Sequence, residues 1–443
     1  KNPRPNWPKD NNMNHKVHLA HLGCAKNMVD SEIFLAHFDR LGFSQTENPN
    51  DADLVLVNTC GFITAAKEQS IDTIFEHVEA KNRRVVVAGC LYQRYANLPE
   101  QMPEVDGWLR TNNYKDVRTL IQKLGFNTDG FTSTANQYER VLLEKNSHAY
   151  LRISEGCNKN CSFCSIPGFK GRMVSRTIES LVEEAQTLID NGIKELNIVS
   201  QDTCNYGVDI YGAGKGGKHF RTLLEKLTEL DIERVRLLYL YPLWLDHNFY
   251  EFMAENPKIC NYIDMPLQHA SQKVLKSMKR PGNGDRYLEE ISKIRTIIPD
   301  VSMRTTLIVG FPGETEADFQ ELNDFVREAN FEWLGAFPYY REENTTAFNL
   351  NEQVHHKTKY RRQRQILNTY HQMRQNLPSR IGQTHRVILE EKIDNIWLAR
   401  TYFQAPEVDG VVYVKNHDGY TGELLDVTIT NELDFDLEAD PKV

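Results

Sequence analysis

Three of the eight cysteines lie within eight residues of one another, in the stretch EGCNKNCSFCSIP that runs from Glu155 to Pro167. Thiolates are the usual ligands of iron–sulfur clusters, and Cys157, Cys161 and Cys164 can hold three corners of a cubane. The fourth iron would then stay open to a substrate or cofactor, as on any catalytic metal. A zinc site or buried free thiols are the alternative, but zinc usually takes four protein ligands with CxxC spacing, and no fourth ligand is near. The spacing therefore favours an iron–sulfur site.

Three further cysteines each follow a predicted β-strand: Cys24, Cys60 and Cys90. The runs Leu54–Asn58 and Arg84–Ala88 are continuously apolar, which is typical of parallel strands buried on both faces. Ligands gather at the carboxyl ends of such strands, so these thiols can converge on one point. Taken singly, a cysteine after a strand is more often a small buried apolar residue. The last two cysteines, 204 and 260, match no motif and are predicted to be core or loop thiols.

The order of apolar and polar residues predicts an α/β chain with three folded parts. The first is an open parallel α/β domain, and the second repeats strand-then-helix as an incomplete (β/α)6 TIM-like barrel. A basic helix follows and ends before Pro378; short alternating runs then predict a small antiparallel β-barrel of the OB type. Within the first part we expect helices over Ser31–Leu41 and Thr64–Ala80. The predicted boundaries are 1–14 for a polar tail, 15–140, 147–377 and 378–443.

Composition excludes several classes of protein. Of the 443 residues, 40% are apolar and 26% charged, as in ordinary globular proteins. The longest apolar runs fall far short of the ~18 residues that a membrane span needs, so no membrane partner is expected. Eight cysteines are too few for a disulfide scaffold, and the polar N-terminus lacks the apolar core of a signal peptide. We therefore expect a reducing, cytoplasmic compartment.

With Phe163 as its aromatic residue, the cysteine loop resembles that of radical S-adenosylmethionine (SAM) enzymes. The resemblance implies that the open iron binds the amino and carboxylate groups of SAM, and that one electron then yields a 5′-deoxyadenosyl radical. The segments LGCAKNMVDSE (22–32), NTCGFI (58–63) and AGCLYQRY (88–95) resemble the N-terminal domain of methylthiotransferases. In that family three such cysteines hold a second [4Fe–4S] cluster, which handles the inserted sulfur, and the final barrel is a TRAM domain. The resemblance covers nearly the whole chain after residue 15.

Two branches of that family differ in substrate. One modifies an adenosine in transfer RNA, and the other modifies the β-carbon of an aspartate in the small-subunit ribosomal protein at the decoding centre. Where the first branch has Gln-Met-Asn and Gln-Asn-Val elements, this chain has GCAKN (23–27) and SQDT (200–203). These segments, the cluster loop and APEVDG (405–410) resemble the second branch. The resemblance thus implies a protein substrate, with transfer RNA as the alternative. A further alternative is a non-catalytic nucleic-acid-binding protein, and counts of bound iron and sulfide would distinguish it from an enzyme with two clusters.

Charge gives an independent argument about the partner. The chain carries −9 overall, and the last 64 residues carry −7 of it. Phosphate contacts dominate RNA binding, so an acidic barrel suits a basic ribosomal protein better, with Asp434, Asp436 and Glu438 as candidate docking residues. A merely solvated acidic surface is the alternative. Residues 353–380 hold seven basic residues and no acid, so a secondary contact with ribosomal RNA, or packing beside the barrel, is expected there.

The remaining candidate cofactor contacts share a position at or near the ends of barrel strands, where the active site of such a fold lies. They are Phe163, Gln201, Asp202, Gln268, Arg304, Gly310 and Gly313. Phe163 is expected to shield the cluster, and the two glycines to permit close approach of the backbone to SAM. Ordinary rim residues and an ordinary strand-to-helix turn are the alternatives. The chemistry implies a reductant such as flavodoxin or ferredoxin. Asn344 stands where the family commonly has glycine, and asparagine tolerates the left-handed conformation that such a turn requires.

Overall fold

The computed structural model describes residues 14–80, 82–111, 113–131, 138–143, 147–214 and 216–442. It divides the chain into two compact units, Lys1–Glu144 with Gly168–Gly171, and Lys145–Pro167 with Arg172–Val443. The predicted tail over residues 1–14 lies outside the described residues except for Asn14. Among the described helices, none combines the length and apolar character needed to cross a membrane.

A five-stranded parallel sheet forms the centre of the first unit, in the order β2-β1-β3-β4-β5. Its strands are β1 (His15–His21), β2 (Phe43–Gln45), β3 (Leu54–Thr59), β4 (Arg84–Gly89) and β5 (Gly107–Trp108). The helices are α1 (Ala25–Arg40), α2 (Thr64–Glu79), α3 (Cys90–Arg94), α4 (Leu98–Gln101) and α5 (Asp116–Lys123). Every residue of β3 and β4 is buried, which confirms the open parallel α/β fold predicted from their continuous apolar runs.

Helix α1 begins six residues earlier than the predicted start at Ser31. The early turns read Ala-Lys-Asn-Met-Val-Asp, without a clear apolar stripe, so periodicity alone does not reveal them. Tertiary contacts hold them instead, because the Asn27 amide donates to the carbonyls of Leu22 and Thr59. Cys24 consequently occupies the N-cap position of α1 directly after β1.

The second unit contains a six-stranded parallel sheet in the order β13-β12-β11-β10-β9-β6. Its strands are β6 (His148–Arg152), β9 (Glu195–Val199), β10 (Arg234–Leu237), β11 (Ile259–Asp264), β12 (Ser302–Val309) and β13 (Trp333–Pro338), beside a short antiparallel pair, β7 (Ser154–Glu155) and β8 (Val174–Ser175). Its helices are α7 (Ile178–Asp190), α8 (Val208–Tyr211), α9 (Lys218–Thr228), α10 (His247–Glu255), α11 (Gln272–Ser277), α12 (Gly284–Ile297), α13 (Glu316–Ala329) and α14 (His356–Arg374). The short helix α6 (Ile166–Lys170) begins in the second unit and ends in the first. Since β6 and β13 are the two edges of the sheet, the predicted incomplete (β/α)6 barrel is confirmed.

The chain ends in a closed five-stranded barrel, in the order β14-β15-β16-β18-β17. Its strands are β14 (Thr384–Ile393), β15 (Ile396–Arg400), β16 (Val412–Lys415), β17 (Leu424–Leu433) and β18 (Asp436–Pro441). The small barrel predicted from the sequence is confirmed, and one of its pairings, β16 with β18, is parallel. Strand β18 was not predicted, because its sequence DLEADP alternates through charged residues and buries only Leu437 and Ala439.

A buried ion network joins this barrel to the six-stranded sheet. Glu195, the first residue of β9, accepts hydrogen bonds from Arg236 Nε at 2.9 Å and Arg400 Nη1 at 3.0 Å. Arg400 also donates to Glu390 Oε1 at 2.6 Å, and His148 Nδ1 lies 2.9 Å from the same oxygen. Burial alone would raise the pKa of Glu390, but Arg400 and His148 lower it to about 2. The two guanidinium groups thus compensate two carboxylates that would otherwise be costly to bury.

The barrel meets the sheet at the amino ends of the strands. His148 and Glu195 are the first residues of β6 and β9, and Trp333, the first residue of β13, donates its indole N–H to the carbonyl of Phe403 at 2.7 Å. The carboxyl ends of the strands therefore lie one strand length away, about 16 Å for the five residues of β9 at roughly 3.3 Å each.

Several basic residues of α14 have partners inside the chain. Arg362 pairs with the Glu314 carboxylate at 2.8 Å, and Arg374 donates to the backbone carbonyls of Glu332 and Asp434. These contacts agree with the packing interpretation of the basic stretch. A secondary contact of this stretch with ribosomal RNA stays a prediction.

Replacing Arg400 with methionine tests the ion network. The change leaves Glu195 and Glu390 buried with one cation fewer, so we expect it to lower the free energy of unfolding by about 3–5 kcal/mol. Chemical denaturation followed by circular dichroism measures the loss. The matched control is Arg327→Met, which removes an exposed helix ion pair with Asp324 and should cost about 1 kcal/mol or less. Equal stability of the two variants would show that the network does not hold the barrel to the sheet.

Candidate active site

The cysteine loop of the second unit follows β6 and is fixed to two other elements. Ser162 donates its backbone N–H to the carbonyl of Met278 at 3.0 Å and its hydroxyl to the carbonyl of Ser277 at 2.7 Å. These carbonyls lie at the C-terminal end of α11, where a helix has no internal donors left for them. The carbonyl of Ser162 in turn accepts from the backbone N–H of Ala347 at 2.7 Å. These hydrogen bonds anchor the cysteine loop to the end of α11 and to the chain segment after β13.

The three thiols of the loop follow β6 at the carboxyl end of the sheet and are close enough to influence one another electrostatically. Cys157, Cys161 and Cys164 are all partly exposed, and none is in a disulfide. Burial raises the pKa of Cys164 to about 12, and the nearby Cys161 and Cys157 add to the rise. Burial likewise raises the pKa of Cys157 to about 11, although the backbone N–H of Lys159 donates to its sulfur at 3.4 Å. The predicted trio is thus brought together by the fold.

Gln201 and Asp202, which follow β9, contact this loop. The Gln201 amide donates to Glu155 Oε1 at 3.0 Å, and Asp202 Oδ2 lies 3.8 Å from Lys159 Nζ. Among the described residues, Gln201 Oε1 and Asp202 Oδ1 are buried acceptors without a hydrogen-bond partner. Burial raises the pKa of Asp202 despite the lysine beside it. Unpartnered acceptors next to the thiols fit the ribose or substrate contacts that the sequence suggested.

Four residues beside the thiols were not predicted from the sequence. Lys159 Nζ lies 4.1 Å from the centre of the Tyr241 ring and 3.7 Å from that of Trp244. Arg280 covers the Tyr241 ring at 4.6 Å and donates Nη1–H to Cys161 Sγ at 3.7 Å. One sequence feature marks Arg280: it directly precedes Pro281, where a helix is expected to have ended.

Phe163 precedes Cys164 and packs against an apolar cluster of Val274, Met278, Phe311, Tyr339 and Ala347. Its role in shielding an iron–sulfur cluster stays a prediction. Gly310, which follows β12, adopts a φ of 71°, and a Cβ there would lie 2.4 Å from Lys359 Cγ of α14. The glycine therefore permits a close approach to α14, and the predicted approach of this backbone to SAM stays a prediction.

Gln268 and Arg304 are not brought to the thiols by any contact that the structure shows. Gln268 adopts a strained φ of 74° and bridges the backbone of β12, where its N–H bonds the carbonyl of Thr306. Arg304 pairs with Asp264 at 3.1 Å and with Asp409 of the barrel at 3.4 Å. Its guanidinium is therefore committed to the contact between sheet and barrel, a role that the sequence did not suggest. Asn344 has a φ of 62°, as its substitution for glycine predicts.

In the first unit, the three other cysteines lie at the carboxyl ends of neighbouring strands. Cys24 caps α1 after β1, Cys60 follows β3, and Cys90 opens α3 after β4. Ser70 of α2 fixes Cys60, since its hydroxyl bonds both the backbone N–H at 3.0 Å and the carbonyl at 3.1 Å. Because β1, β3 and β4 are consecutive strands of the sheet, these strand ends lie side by side.

Close backbone packing draws these three strand ends together. A Cβ on Gly23 would lie 3.3 Å from the Cβ of Cys60, and one on Gly61 would lie 2.7 Å from the carbonyl oxygen of Cys90. Burial raises the pKa of Cys90 to about 12, and Cys24 and Cys60 contribute to the rise. The convergence predicted from the strand pattern is therefore present within this unit.

Three thiols at each position are a donor set that an iron–sulfur cluster can take. A lone zinc needs its donors within about 2.3 Å of one point. In the described part of the chain, no three His, Cys, Asp or Glu side chains are grouped in that way. A cubane instead takes each thiolate on a different iron.

Comparison with known families identifies the class. Residues 151–326 match the Radical SAM superfamily, residues 16–110 the uncharacterized protein family UPF0004, and residues 381–441 the TRAM domain. A radical SAM enzyme with its cysteine loop at the carboxyl ends of a partial barrel is the class that this fold and site define. Radical SAM enzymes use SAM and a [4Fe–4S] cluster.

Curated relatives identify the family within that class. The chain is 42% identical to the ribosomal protein uS12 methylthiotransferase RimO of Alkaliphilus oremlandii over 95% of this chain and 98% of that protein. It is 40% identical to the RimO of Clostridium acetobutylicum, over 95% of this chain and 97% of that protein, and 41% identical to the RimO of Aquifex aeolicus, over 95% and 96%. The chain belongs to the RimO family of radical SAM methylthiotransferases and is thus a transferase.

Solved structures agree on the fold. The radical SAM methyltransferase TsrM from Kitasatospora setae, with cobalamin and a [4Fe–4S] cluster bound, is similar with a TM-score of 0.54 at 15% identity. The similarity covers 75% of this chain and 74% of that chain.

Replacing Gly61 with alanine tests the convergence in the first unit. The added methyl group would meet backbone atoms of Cys90 and Leu91 at 2.7–2.8 Å, so the loops carrying Cys60 and Cys90 must separate. We expect anaerobically reconstituted Gly61→Ala protein to bind about four iron atoms per chain, against about eight in the parent. Gly168→Ala is the control, since nothing lies within 4 Å of a Cβ there. Full iron loading of Gly61→Ala would argue against a cluster at this position.

Proposed function

We propose that this enzyme replaces a C–H bond by C–S–CH₃ at the β-carbon of an aspartate in ribosomal protein uS12, using SAM and two [4Fe–4S] clusters. The RimO relatives carry uS12 in their names and match this chain almost end to end. The observation that supports the second cluster is the gathering of Cys24, Cys60 and Cys90 at three adjacent strand ends. Since a ribosomal protein is the proposed substrate, the enzyme would act in the cytoplasm.

The second unit supplies the groups for SAM. Cys157, Cys161 and Cys164 would hold the cluster that binds SAM. The cluster and SAM together would supply the one-electron chemistry that activates an unreactive C–H bond. Asp202 and Gln201 offer buried acceptors to ribose hydroxyls or to the substrate. Lys159 holds Asp202 in place through their 3.8 Å contact. The protein's part is to position the target carbon, while the cofactors carry the difficult chemistry.

Cys24, Cys60 and Cys90 would hold the second cluster, from which sulfur is delivered. Their backbone is fixed by Ser70 and by Arg94, whose guanidinium donates to the carbonyl of Gly61 at 2.8 Å. Fixed ligands keep a cluster at a constant place while its sulfur is transferred. A reductant of the flavodoxin or ferredoxin class would supply electrons.

Acidic residues of the C-terminal barrel are less free than the sequence suggested. Asp434, Asp436 and Glu438, the candidate docking residues, each have a partner within the chain. These partners are His371, the backbone N–H of Val411, and Lys415. The barrel also lies at the amino ends of the strands, so a substrate bound by both barrel and cluster loop would have to extend along the sheet. Docking of uS12 on the barrel stays a prediction.

Replacing each cysteine trio separately tests the division of labour. We expect alanine at positions 157, 161 and 164 to abolish 5′-deoxyadenosine formation, because SAM would have no cluster to bind. Alanine at positions 24, 60 and 90 should leave SAM cleavage in place but stop methylthio transfer to uS12. Chromatography of 5′-deoxyadenosine and mass spectrometry of uS12 measure the two outcomes, with iron counts of about four in each variant.

The control for these variants replaces one of the two cysteines outside both trios. Cys204 and Cys260 are buried in the second unit and match neither group, so Cys260→Ser should retain iron, SAM cleavage and transfer. Methylthio transfer that survives loss of either trio would contradict the two-cluster proposal.

A further inference from the structure

We infer that Arg280 sets the reduction potential of the cluster in the second unit by donating a hydrogen bond to the sulfur of Cys161. The inference rests on the proposed function in one respect, namely that Cys161 is a ligand of that cluster. Arg280 is a positioning residue in this account, since it acts through a ligand.

The geometry places one guanidinium N–H on the thiol sulfur and another on a backbone carbonyl. Nη1 lies 3.7 Å from Cys161 Sγ, and Nη2 donates to the carbonyl of Pro266 at 2.5 Å. The ring of Tyr241 covers the guanidinium plane, with 4.6 Å between the central carbon and the ring centre. Arginine's planar fork suits these three contacts together, and a lysine could make one of them at a time.

The backbone at Arg280 is positioned by the end of α11. Lys279 adopts a left-handed φ of 56°, and its N–H bonds the carbonyl of Lys276 at 3.1 Å. The N–H of Arg280 bonds the carbonyl of Leu275 at 2.9 Å. This pair of bonds is the Schellman motif, which turns the chain back sharply after a helix. Pro281 further restricts Arg280 to extended conformations.

The same helix end holds the cysteine loop. Ser162, the residue after Cys161, bonds the carbonyls of Ser277 and Met278. These two carbonyls lie three and two residues before Arg280. The donor guanidinium and the acceptor sulfur are therefore both anchored at the same helix terminus. A contact held from both sides in this way persists without depending on a long flexible side chain.

A fixed positive donor on a ligand sulfur favours the more reduced cluster. Reduction adds one electron, so the cluster and its thiolates gain negative charge that Arg280 stabilises. Hydrogen bonds to sulfur and the net charge around a cluster are established determinants of its potential. Removing the donor should therefore make the cluster harder to reduce.

The test measures the reduction potential of the cluster without SAM, by titration with dithionite followed by electron paramagnetic resonance. The parent protein carries Cys24→Ala, Cys60→Ala and Cys90→Ala, so that the signal comes from the second unit alone. For Arg280→Gln we expect the ratio of reduced to oxidised cluster at a given potential to fall about tenfold, which is about 59 mV for a one-electron couple. Arg280→Lys keeps the charge, and its reduction potential should lie between those of the parent protein and Arg280→Gln. It also keeps the test valid should the glutamine variant bind less iron.

Lys276→Gln is the matched control, because it removes an exposed charge from the same helix without touching a cysteine. It should leave the potential unchanged. A potential equal to the parent in both Arg280 variants, at full iron content, would overturn this inference and leave the proposed function intact. Retention of the cluster in Cys161→Ala would overturn the inference together with the ligand assignment on which it rests.

Discussion

Parallel strands bring their carboxyl ends to a common edge, and both candidate sites depend on this property of a parallel sheet. In the first unit, Cys24, Cys60 and Cys90 are separated by 36 and 30 positions in the sequence. They follow neighbouring strand ends because β1 pairs with β3, and β3 with β4, in parallel orientation. In the second, the cysteine loop and the acceptors Gln201 and Asp202 meet because β6 pairs with β9. Neither site needs a long loop to reach its partners. The rigid sheet positions the ligands, and short turns present them.

The amino ends of the same strands serve a different purpose. There the barrel is held by Glu195, Arg236, Arg400 and Glu390, which pair with one another and of which the first three are fully buried. The second unit thus separates stabilising contacts from chemistry by the length of a strand, as TIM-like folds commonly do.

Local patterns in the sequence were enough to predict the fold class and both cysteine groups. Each depends on neighbours in the chain: apolar runs define β3 and β4, and the spacing of Cys157, Cys161 and Cys164 is complete within eight residues. What could not be predicted depends on distant pairs. Arg304 meets Asp409 across 105 positions, and Gly310 meets Lys359 of another helix. Arg280 reaches Cys161 only through a helix end whose left-handed residue is lysine rather than the usual glycine.

A direct competition between the two candidate substrates identifies the one that the enzyme modifies. Anaerobically reconstituted enzyme would be incubated with SAM, a low-potential reductant, and equal amounts of uS12 and unmodified transfer RNA. Mass spectrometry of peptides and nucleosides then locates any methylthio group. We expect one methylthio group on an aspartate of uS12 and unchanged transfer RNA. A methylthiolated adenosine with unmodified uS12 would contradict the proposed substrate.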